Sequence, residues 1–469
     1  MSKQHLGVVG LGVMGRNLAL NAESKGFSAS GFDVSSGKVS QFEAAIHGKN
    51  IVASRTLNDF ANSLETPRRI LLMVPAGSPV DSVLHDLSPL LSREDIVIDG
   101  GNSYFKDTER RAQELDQAGM IFFGMGVSGG EEGALQGPSL MPGGREQAYR
   151  RLEALLTRMA AQTSDGACCT YLGPGGAGHY VKMVHNGIEY GIMQAICECY
   201  DLLKTALSLP AAELRDIFAA WNDGVLNAFL MEITALVLAK VDPGTGKPLV
   251  DLILDEAEQK GTGKWTAQDS LDLGAAVPTL AAAVYARILS AQKDERVAAS
   301  SILNGPGNRF SGEKSALIEK AGHALHLAML VCYAQGFEQL RAASAEYKYN
   351  LRMAEIARIW KGGCIIRSKM LDPIAAAFRW NPALQNLMTD PYFSDLVNRN
   401  AASLREVAKL AVDLGVSVPV FGSSLAYLDA YRQKRLPANL LQGLRDCFGA
   451  HTYRRTDREG IFHTEWSKP

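Results

Sequence analysis

The sequence predicts a doubly wound parallel α/β sheet, a large all-helical domain after it, and an extended C-terminal tail. Strand-like and helix-like segments alternate over residues 1–178, whereas helical periodicity dominates residues 179–434. A glycine-rich segment at 173–178 punctuates the chain between them. Residues 435–469 hold one more helical stretch and then, from residue 451, a polar and aromatic tail that we expect to dock on another surface.

The strands of the first domain are predicted by apolar runs at residues 6–10, 28–32, 70–74, 96–98 and 121–123. The predicted helices between them are Arg16–Ser24, Lys38–Ala45, Pro79–Leu84, Thr108–Gln117 and Arg145–Arg158. In the second domain, stretches with 3.6-residue periodicity lie at Tyr180–Ala206, Pro210–Trp221 and Ser315–Tyr347, with loops near 242–248 and 304–312. Polar or glycine-rich loops at 74–77, 99–103 and 126–133 follow strands, and ligands of such sheets bind at the carboxyl ends of the strands.

The bulk composition excludes several classes of protein. The 469 residues are 46% hydrophobic and 21% charged, with a net charge of −2, so no global field favours nucleic acid or an anionic membrane. We expect no signal peptide and no membrane span. The seven cysteines suit free thiols in a reducing cytoplasm, and their spacing favours no metal site.

The first strand runs into a glycine motif with the spacing G-x-G-x-x-G, formed by Gly10, Leu11, Gly12, Val13, Met14 and Gly15. With a helix after it and an acidic residue, Asp33, about 20 positions later, this is the fingerprint of a Rossmann dinucleotide-binding domain. We expect Gly10 to make the tight turn, Gly12 to admit the pyrophosphate, and Gly15 to allow close helix packing. The alternative is a glycine-rich turn without a ligand.

Four polar residues on the first long helix fall on one face: Lys182, His185, Asn186 and Glu189. A base, an acid and two neutral hydrogen-bonding groups on one stripe are what a proton-transfer site requires. The alternative is a solvated helix face with a pair of charges.

Other groups could bind anions. Lys260, Thr262, Arg287, Arg445 and His451 could bind phosphate, although each alone is more typical of an ordinary surface residue. The turn Ser128-Gly129-Gly130 fits either a backbone nest for an oxyanion or a plain tight turn.

Segments 99–103, 126–134, 179–190, 261–266 and 448–453 resemble the signatures of the decarboxylating 6-phosphogluconate dehydrogenases, in order and over nearly the full length. The resemblance implies oxidation and decarboxylation of 6-phosphogluconate to ribulose 5-phosphate, as in the pentose phosphate pathway, by a homodimer whose tails thread into the partner subunit. It implies no metal, with protonated Lys182 polarising the ketone.

The resemblance also implies residue roles. Lys182 matches the general base and Glu189 the general acid. Asn102 matches a residue at the junction of nicotinamide and substrate. Ser128, Gly129, Gly130, His185 and Asn186 match groups that hold the sugar acid. The phosphate site is matched by Tyr190, Lys260, Thr262, Arg287 and, from the second subunit, Arg445 and His451.

The sequence departs from the family in the segments expected to bind the cofactor, which are the glycine motif, Asp33, Val34 and Ser35, Val74, Pro75 and Ala76, and Asn102. NADP-dependent members carry Asn-Arg-Ser/Thr where this chain has Asp33-Val34-Ser35, and commonly a lysine where it has Pro75. Losing a charge-assisted contact to the 2′-phosphate costs on the order of 1.5–3 kcal/mol of binding free energy, or roughly 10- to 150-fold in affinity. We therefore predict NAD as the preferred cofactor and NADP as a weaker one. The alternative is that Lys38 or Ser35 rescues NADP binding.

Two other functions remain open from the residues alone. A different β-hydroxy acid dehydrogenase could use this scaffold, but those acting on small acids lack the long helical domain and tail. A non-catalytic dinucleotide sensor should have lost Lys182 or Glu189, and this chain keeps both.

Overall fold

The computed structural model describes residues 2–467. Seven strands form one sheet in the order β3-β2-β1-β4-β5-β6-β7. The strands are β1 (Leu6–Val9), β2 (Ala29–Phe32), β3 (Ile51–Ala53), β4 (Arg69–Leu72), β5 (Ile96–Asp99), β6 (Ile121–Ser128) and β7 (Ser139–Gly143). The first six run parallel, as predicted, but β7 is antiparallel to β6. The connection from β6 to β7 is shorter than the dozen or more residues that a parallel crossover needs, so the chain returns beside β6.

Helices cover both faces of this sheet. They are α1 (Val13–Ser24), α2 (Ser36–Ala45), α3 (Leu57–Ser63), α4 (Ser78–Leu87), α5 (Phe105–Gln117), α6 (Gly130–Gln136) and α7 (Glu146–Met159). Val8 and Val9 belong to different apolar clusters because successive strand residues point to opposite faces. A small hairpin, β8 (Gln162–Thr163) and β9 (Gly166–Ala167), follows α7. The predicted doubly wound arrangement is therefore confirmed.

The second half of the chain is helical, as predicted. Its helices are α8 (Ala177–Leu207), α9 (Ala211–Asn222), α10 (Phe229–Ala239), α11 (Thr262–Asp272), α12 (Pro278–Ser290), α13 (Lys293–Ser300), α14 (Lys314–Glu346), α15 (Met353–Ile359), α16 (Leu371–Trp380), α17 (Pro391–Leu414), α18 (Pro419–Tyr431) and α19 (Ala438–Gly449). The long helices α8 and α14 pack on each other at its centre. No helix in residues 2–467 has both the length and the apolar character needed to cross a bilayer.

Glycines let α8 pack directly against the sheet. A Cβ added to Gly126 of β6 would lie 2.4 Å from Lys182 Cβ, and one added to Gly143 of β7 would lie 2.2 Å from Gly178 N. A real Cβ atom essentially never lies within 3 Å of a non-bonded heavy atom, so these positions require glycine for this packing. The result is that the first turns of α8 meet the sheet where β6 carries its carboxyl-terminal residues.

The C-terminal tail folds on α19. Asp446 is fully buried, and its carboxylate is hydrogen-bonded by Thr452 N, Thr464 N, Trp466 Nε1 and His463 Nδ1. Gln442 Nε2 donates to Thr452 O. Within the described part of the chain, α19 packs extensively against no other helix or strand. The tail is therefore an ordered unit that makes few contacts with the other helices and strands of the described chain.

Candidate active site

The glycine motif forms an open cradle at the start of α1. Gly10 has φ of +96°, and a Cβ there would lie 2.5 Å from Met73 O. A Cβ on Gly15 would lie 1.8 Å from Gly10 O, so α1 can approach the turn only with glycine at this position. At Gly12 a Cβ would meet nothing within 4 Å. The space beside the N-terminus of α1 is thus free for an anion, which the helix N–H groups favour.

Asp33 lies at the carboxyl end of β2 and is fixed by the backbone. Its Oδ2 accepts a hydrogen bond from Leu11 N at 2.8 Å, and its Oδ1 accepts one from Ser35 N at 2.9 Å. Lys38 Nζ lies 3.5 Å from Asp33 Oδ2, while the Val34 side chain is 88% exposed. The carboxylate therefore adjoins the glycine loop, and the next residue offers an aliphatic surface instead of a cation.

The other cofactor residues predicted from the sequence lie on loops at the same sheet edge. Val74, Pro75 and Ala76 follow β4, and Pro75 is exposed. Asn102 follows β5 and is also exposed. Asp99 shapes this second loop, since its Oδ1 accepts from Gly101 N at 3.0 Å and its Oδ2 from Ser103 Oγ at 2.6 Å.

Lys182 and Glu189 lie two turns apart on α8. Lys182 is buried, and this burial lowers the pKa of its ammonium against the opposing attraction of Glu189. Burial raises the pKa of the Glu189 carboxyl, although its side chain keeps 20% exposure. The same desolvation therefore favours the neutral form of both groups, which is the form a general base and a general acid need before transfer.

His185 links this pair to the residues that were predicted to hold the sugar acid. Its Nε2 lies 3.4 Å from Ser128 Oγ, and its Nδ1 lies 3.1 Å from Asn186 Oδ1 and 3.7 Å from Glu189 Oε2. Asn186 Nδ2 in turn donates to Thr262 Oγ1 at 3.1 Å. Burial, with Lys182 adding to it, lowers the pKa of His185 well below its ordinary value, so the imidazole is neutral. Gly129 and Gly130, with φ of +121° and +62°, lead from Ser128 into α6.

Part of the predicted phosphate site is assembled within one chain. The Arg287 guanidinium lies over the Tyr190 ring at 3.4 Å from its centroid, and Gly263 permits α11 to pack on that ring. Thr262 starts α11 and is buried, whereas Lys260 is exposed in the loop before it.

Arg445 and His451 stay apart from this cluster. Both are exposed on the α19 and tail unit. Within residues 2–467, no hydrogen bond or ion pair joins either of them to Tyr190, Thr262 or Arg287.

Several contacts at the site carried no signal in the sequence. Trp360 is fully buried with its ring edge-on to His185, at 5.5 Å between centroids, and Cys364 is buried near Lys182. His179 Nδ1 lies 2.7 Å from Thr108 Oγ1. These partners are far apart in the chain and follow no local spacing, so a motif search could not pair them.

A dinucleotide fits this edge of the sheet on three observations: the open cradle at Gly12, the adjacent carboxylate of Asp33, and the loops after β4 and β5. Buried Lys182 and partly exposed Glu189 lie on α8, which packs on β6 of the same sheet. Fold and site together define a two-domain, nicotinamide-dinucleotide-binding dehydrogenase scaffold.

Comparisons with known proteins identify the family. The family model "NAD binding domain of 6-phosphogluconate dehydrogenase" matches residues 5–173, and "6-phosphogluconate dehydrogenase, C-terminal domain" matches residues 178–466. The chain is 53% identical over 467 residues to the decarboxylating 6-phosphogluconate dehydrogenase of Escherichia coli (strain K12), covering 99% of this chain and 100% of that one. The chain belongs to the 6-phosphogluconate dehydrogenase family, as its motifs predicted.

Two further relatives bear on the cofactor. The chain is 54% identical over 469 residues, and 100% of both chains, to a Bacillus subtilis (strain 168) protein named "6-phosphogluconate dehydrogenase, NADP(+)-dependent, decarboxylating". A solved Plasmodium falciparum 6-phosphogluconate dehydrogenase, described with its cofactor NADP+ and with its substrate, superposes with a TM-score of 0.94 at 41% identity, covering 98% of this chain and 100% of that one. The predicted preference of this chain for NAD stays a prediction.

Proposed function

We propose that this protein oxidises and decarboxylates 6-phosphogluconate to ribulose 5-phosphate and CO2, with NAD as its preferred cofactor. The observation that carries the proposal is that buried Lys182 and partly exposed Glu189 share one face of α8, which packs on β6 of the sheet that also carries the open dinucleotide cradle. Family membership over the whole chain supports the substrate.

The proposed chemistry uses the neutral forms that burial favours at Lys182 and Glu189. Neutral Lys182 takes the proton from the 3-hydroxyl of the substrate while C3 is oxidised. Bound NAD supplies the hydride acceptor for that oxidation. Protonated Lys182 then polarises the new ketone, so that the electrons released when CO2 departs are stabilised on its oxygen. Lys182 gives that oxygen its proton to form the enediol and takes it back as Glu189 protonates the carbon that lost CO2, which becomes C1 of ribulose 5-phosphate.

The remaining site residues are proposed to bind and orient the substrate. Ser128, His185 and Asn186 form a hydrogen-bonded row beside Lys182 and suit the carboxylate and hydroxyl groups. Tyr190, Thr262 and Arg287, with Lys260 nearby, suit the phosphate. Arg445 and His451 would complete the phosphate site from a second subunit, because in the described chain they stand apart from it.

The preference for NAD rests on charge at the end of β2. Asp33 places a carboxylate where the adenosine ribose would lie, and its backbone hydrogen bonds prevent it from turning away. A 2′-phosphate there would face this anion and the aliphatic Val34. Lys38 is the alternative cation, but it is already within 3.5 Å of the Asp33 carboxylate.

Product analysis tests the reaction. Incubation of the protein with 6-phosphogluconate and NAD should release one CO2 and one ribulose 5-phosphate for each NADH formed. NADH formed without CO2 would assign a simple hydroxy acid dehydrogenase, and formation of neither NADH from NAD nor NADPH from NADP would overturn the enzyme assignment.

A further inference from the structure

Arg111 is the most deeply buried cation of the dinucleotide-binding domain that the proposed mechanism does not use. It lies on α5, next to the exposed Arg110, and its side chain is fully buried. A buried guanidinium is costly unless charged and polar groups surround it. The hydrogen-bond and ion-pair partners of Arg111 therefore indicate which segments of the chain it connects.

The first partners lie at the start of α4. Arg111 Nε donates to Asp81 Oδ1 at 2.7 Å, and Nη2 donates to Asp81 Oδ2 at 3.0 Å, so the two side chains form a bidentate ion pair. Nη2 also donates to Gly77 O at 3.0 Å. Gly77 has φ of +89° and closes the loop after β4, which contains Val74, Pro75 and Ala76. The guanidinium thus fixes the end of one proposed cofactor loop.

The other side of the guanidinium faces the second cofactor loop. Arg111 Nη1 lies 3.9 Å from Asp99 Oδ2, and Asp99 is itself fully buried. The Asp99 carboxylate holds Gly101 N and Ser103 Oγ, the residues on either side of Asn102. Arg111 is consequently the shared countercharge between the loop after β4 and the loop after β5.

The same face of α5 also contacts α8, the helix that carries Lys182. Thr108, one turn before Arg111, contacts His179 in the first turn of α8. Burial lowers the pKa of His179, and the negative charge of the nearby Asp99 carboxylate opposes this shift. One face of α5 therefore touches both cofactor loops and the helix that carries Lys182.

We propose that Arg111 is a positioning residue that sets the spacing between the loops after β4 and β5, and so the placement of the nicotinamide ring against the substrate. This inference rests on the function proposed above. Only a planar fork can bind Asp81 and Gly77 O on one side and face Asp99 on the other, whereas a lysine ammonium is a point charge.

The decisive variant is Arg111→Lys, which keeps the charge and loses the fork. Since a displacement of about 1 Å can cost about 100-fold in rate, we expect kcat with NAD to fall about 10- to 100-fold and KM for NAD to rise several-fold. The dissociation constant of 6-phosphogluconate should stay within about twofold, because most of its proposed residues lie on β6, α6, α8, α11 and α12 and not on these two loops. Hydrogen–deuterium exchange should increase at 74–77 and 99–103 in the protein without ligands.

Two further variants separate positioning from folding. Asp81→Asn weakens the same fork at a half-exposed carboxylate, so the protein should fold and show the same changes in smaller size. Arg110→Met is the matched control, because Arg110 also donates to Asp81, at 2.9 Å, but is 44% exposed and contacts neither Gly77 nor Asp99 in residues 2–467. It should leave KM, kcat and loop exchange unchanged.

The inference is overturned if Arg111→Lys lowers only the melting temperature while KM for NAD, kcat and loop exchange match the wild type, or if Arg110→Met has the same effect as Arg111→Lys. Binding of NADH, followed by its fluorescence, and loop exchange need no turnover. They would test Arg111 even if the wild type failed to oxidise 6-phosphogluconate.

Discussion

Lys182 and Glu189 show how one environment favours the neutral form of both an amine and a carboxyl. Both lie on one stripe of α8, and burial is the largest cause of each shift, lowering the pKa of the amine and raising that of the carboxyl. The mechanism needs neutral Lys182 and protonated Glu189. Activity should therefore appear as Lys182 loses its proton and vanish as Glu189 loses its own, which predicts a bell-shaped pH profile of kcat/KM.

Replacement of Lys182 tests the base directly. We expect Lys182→Ala to lower kcat about 10²- to 10⁴-fold, the usual contribution of a positioned base, with NADH binding unchanged. Lys204→Ala is a suitable control, because Lys204 lies on the same helix but pairs with Asp251 near the surface. Initial rates of the variant would measure this loss, and full activity in Lys182→Ala would refute the assignment of Lys182 as the base. Initial rates of the wild type over a pH series would measure the bell-shaped profile.

At the level of elements, the site depends on the direct packing of α8 on β6. Gly126 leaves no side chain between the strand and Lys182. A methyl group at this position would push the helix away from the sheet edge, and with it the lysine.

Gly126→Ala should therefore reduce both stability and turnover. Overpacking of this kind costs about 1–3 kcal/mol, and we expect kcat to fall more than KM for 6-phosphogluconate changes. Gly422→Ala on α18 is the control, since a Cβ there meets nothing within 4 Å. Thermal melts and initial rates would check both; a stable, fully active Gly126→Ala protein would show that the contact is unimportant.

The elements also mark where sequence reasoning succeeds. Long periodic segments predicted α8 and α14 to within a few residues, because an apolar stripe repeated over many turns is a strong signal. Strands β3 and β7 and helix α6 were not predicted: β3 has three residues, β7 contains a proline and glycine, and α6 begins in a glycine-rich turn. Short elements depend on the sheet already formed beside them, which no local pattern records.

The residues of the candidate site also separate into those that the sequence could predict and those that it could not. The glycine motif, Asp33 and the α8 stripe have fixed spacings and could be predicted. Arg111 could not, since Glu109, Arg110 and Arg111 read as one charged surface segment and only the fold buries the third of them.

At the scale of the whole molecule, the exposed apolar side chains of α19 predict that the chain associates with a second copy of itself. Leu440, Leu441, Leu444 and Phe448 of α19 are all more than half exposed, and the described chain offers them no extensive partner. An ordered unit with such an apolar surface is suited to a second copy of the chain, as the family resemblance implies, and would carry Arg445 and His451 to the neighbouring phosphate site.

Cross-complementation tests this exchange. Lys182→Ala and Arg445→Ala chains, each of low activity alone, should recover about a quarter of wild-type activity when co-expressed, since random pairing gives half heterodimers with one intact site each. Lys182→Ala with Glu189→Gln should recover none, because both residues belong to the same site. If the first pair also recovers nothing, the tail serves its own subunit or no site.

Selection of NAD by Asp33 would show in the ratio of kcat/KM for NAD to kcat/KM for NADP, measured with saturating 6-phosphogluconate. We expect a ratio well above one, on the order of 10 to 150 for the loss of one charge-assisted phosphate contact. A ratio below one would contradict it and would assign Lys38 and Ser35 to the 2′-phosphate instead.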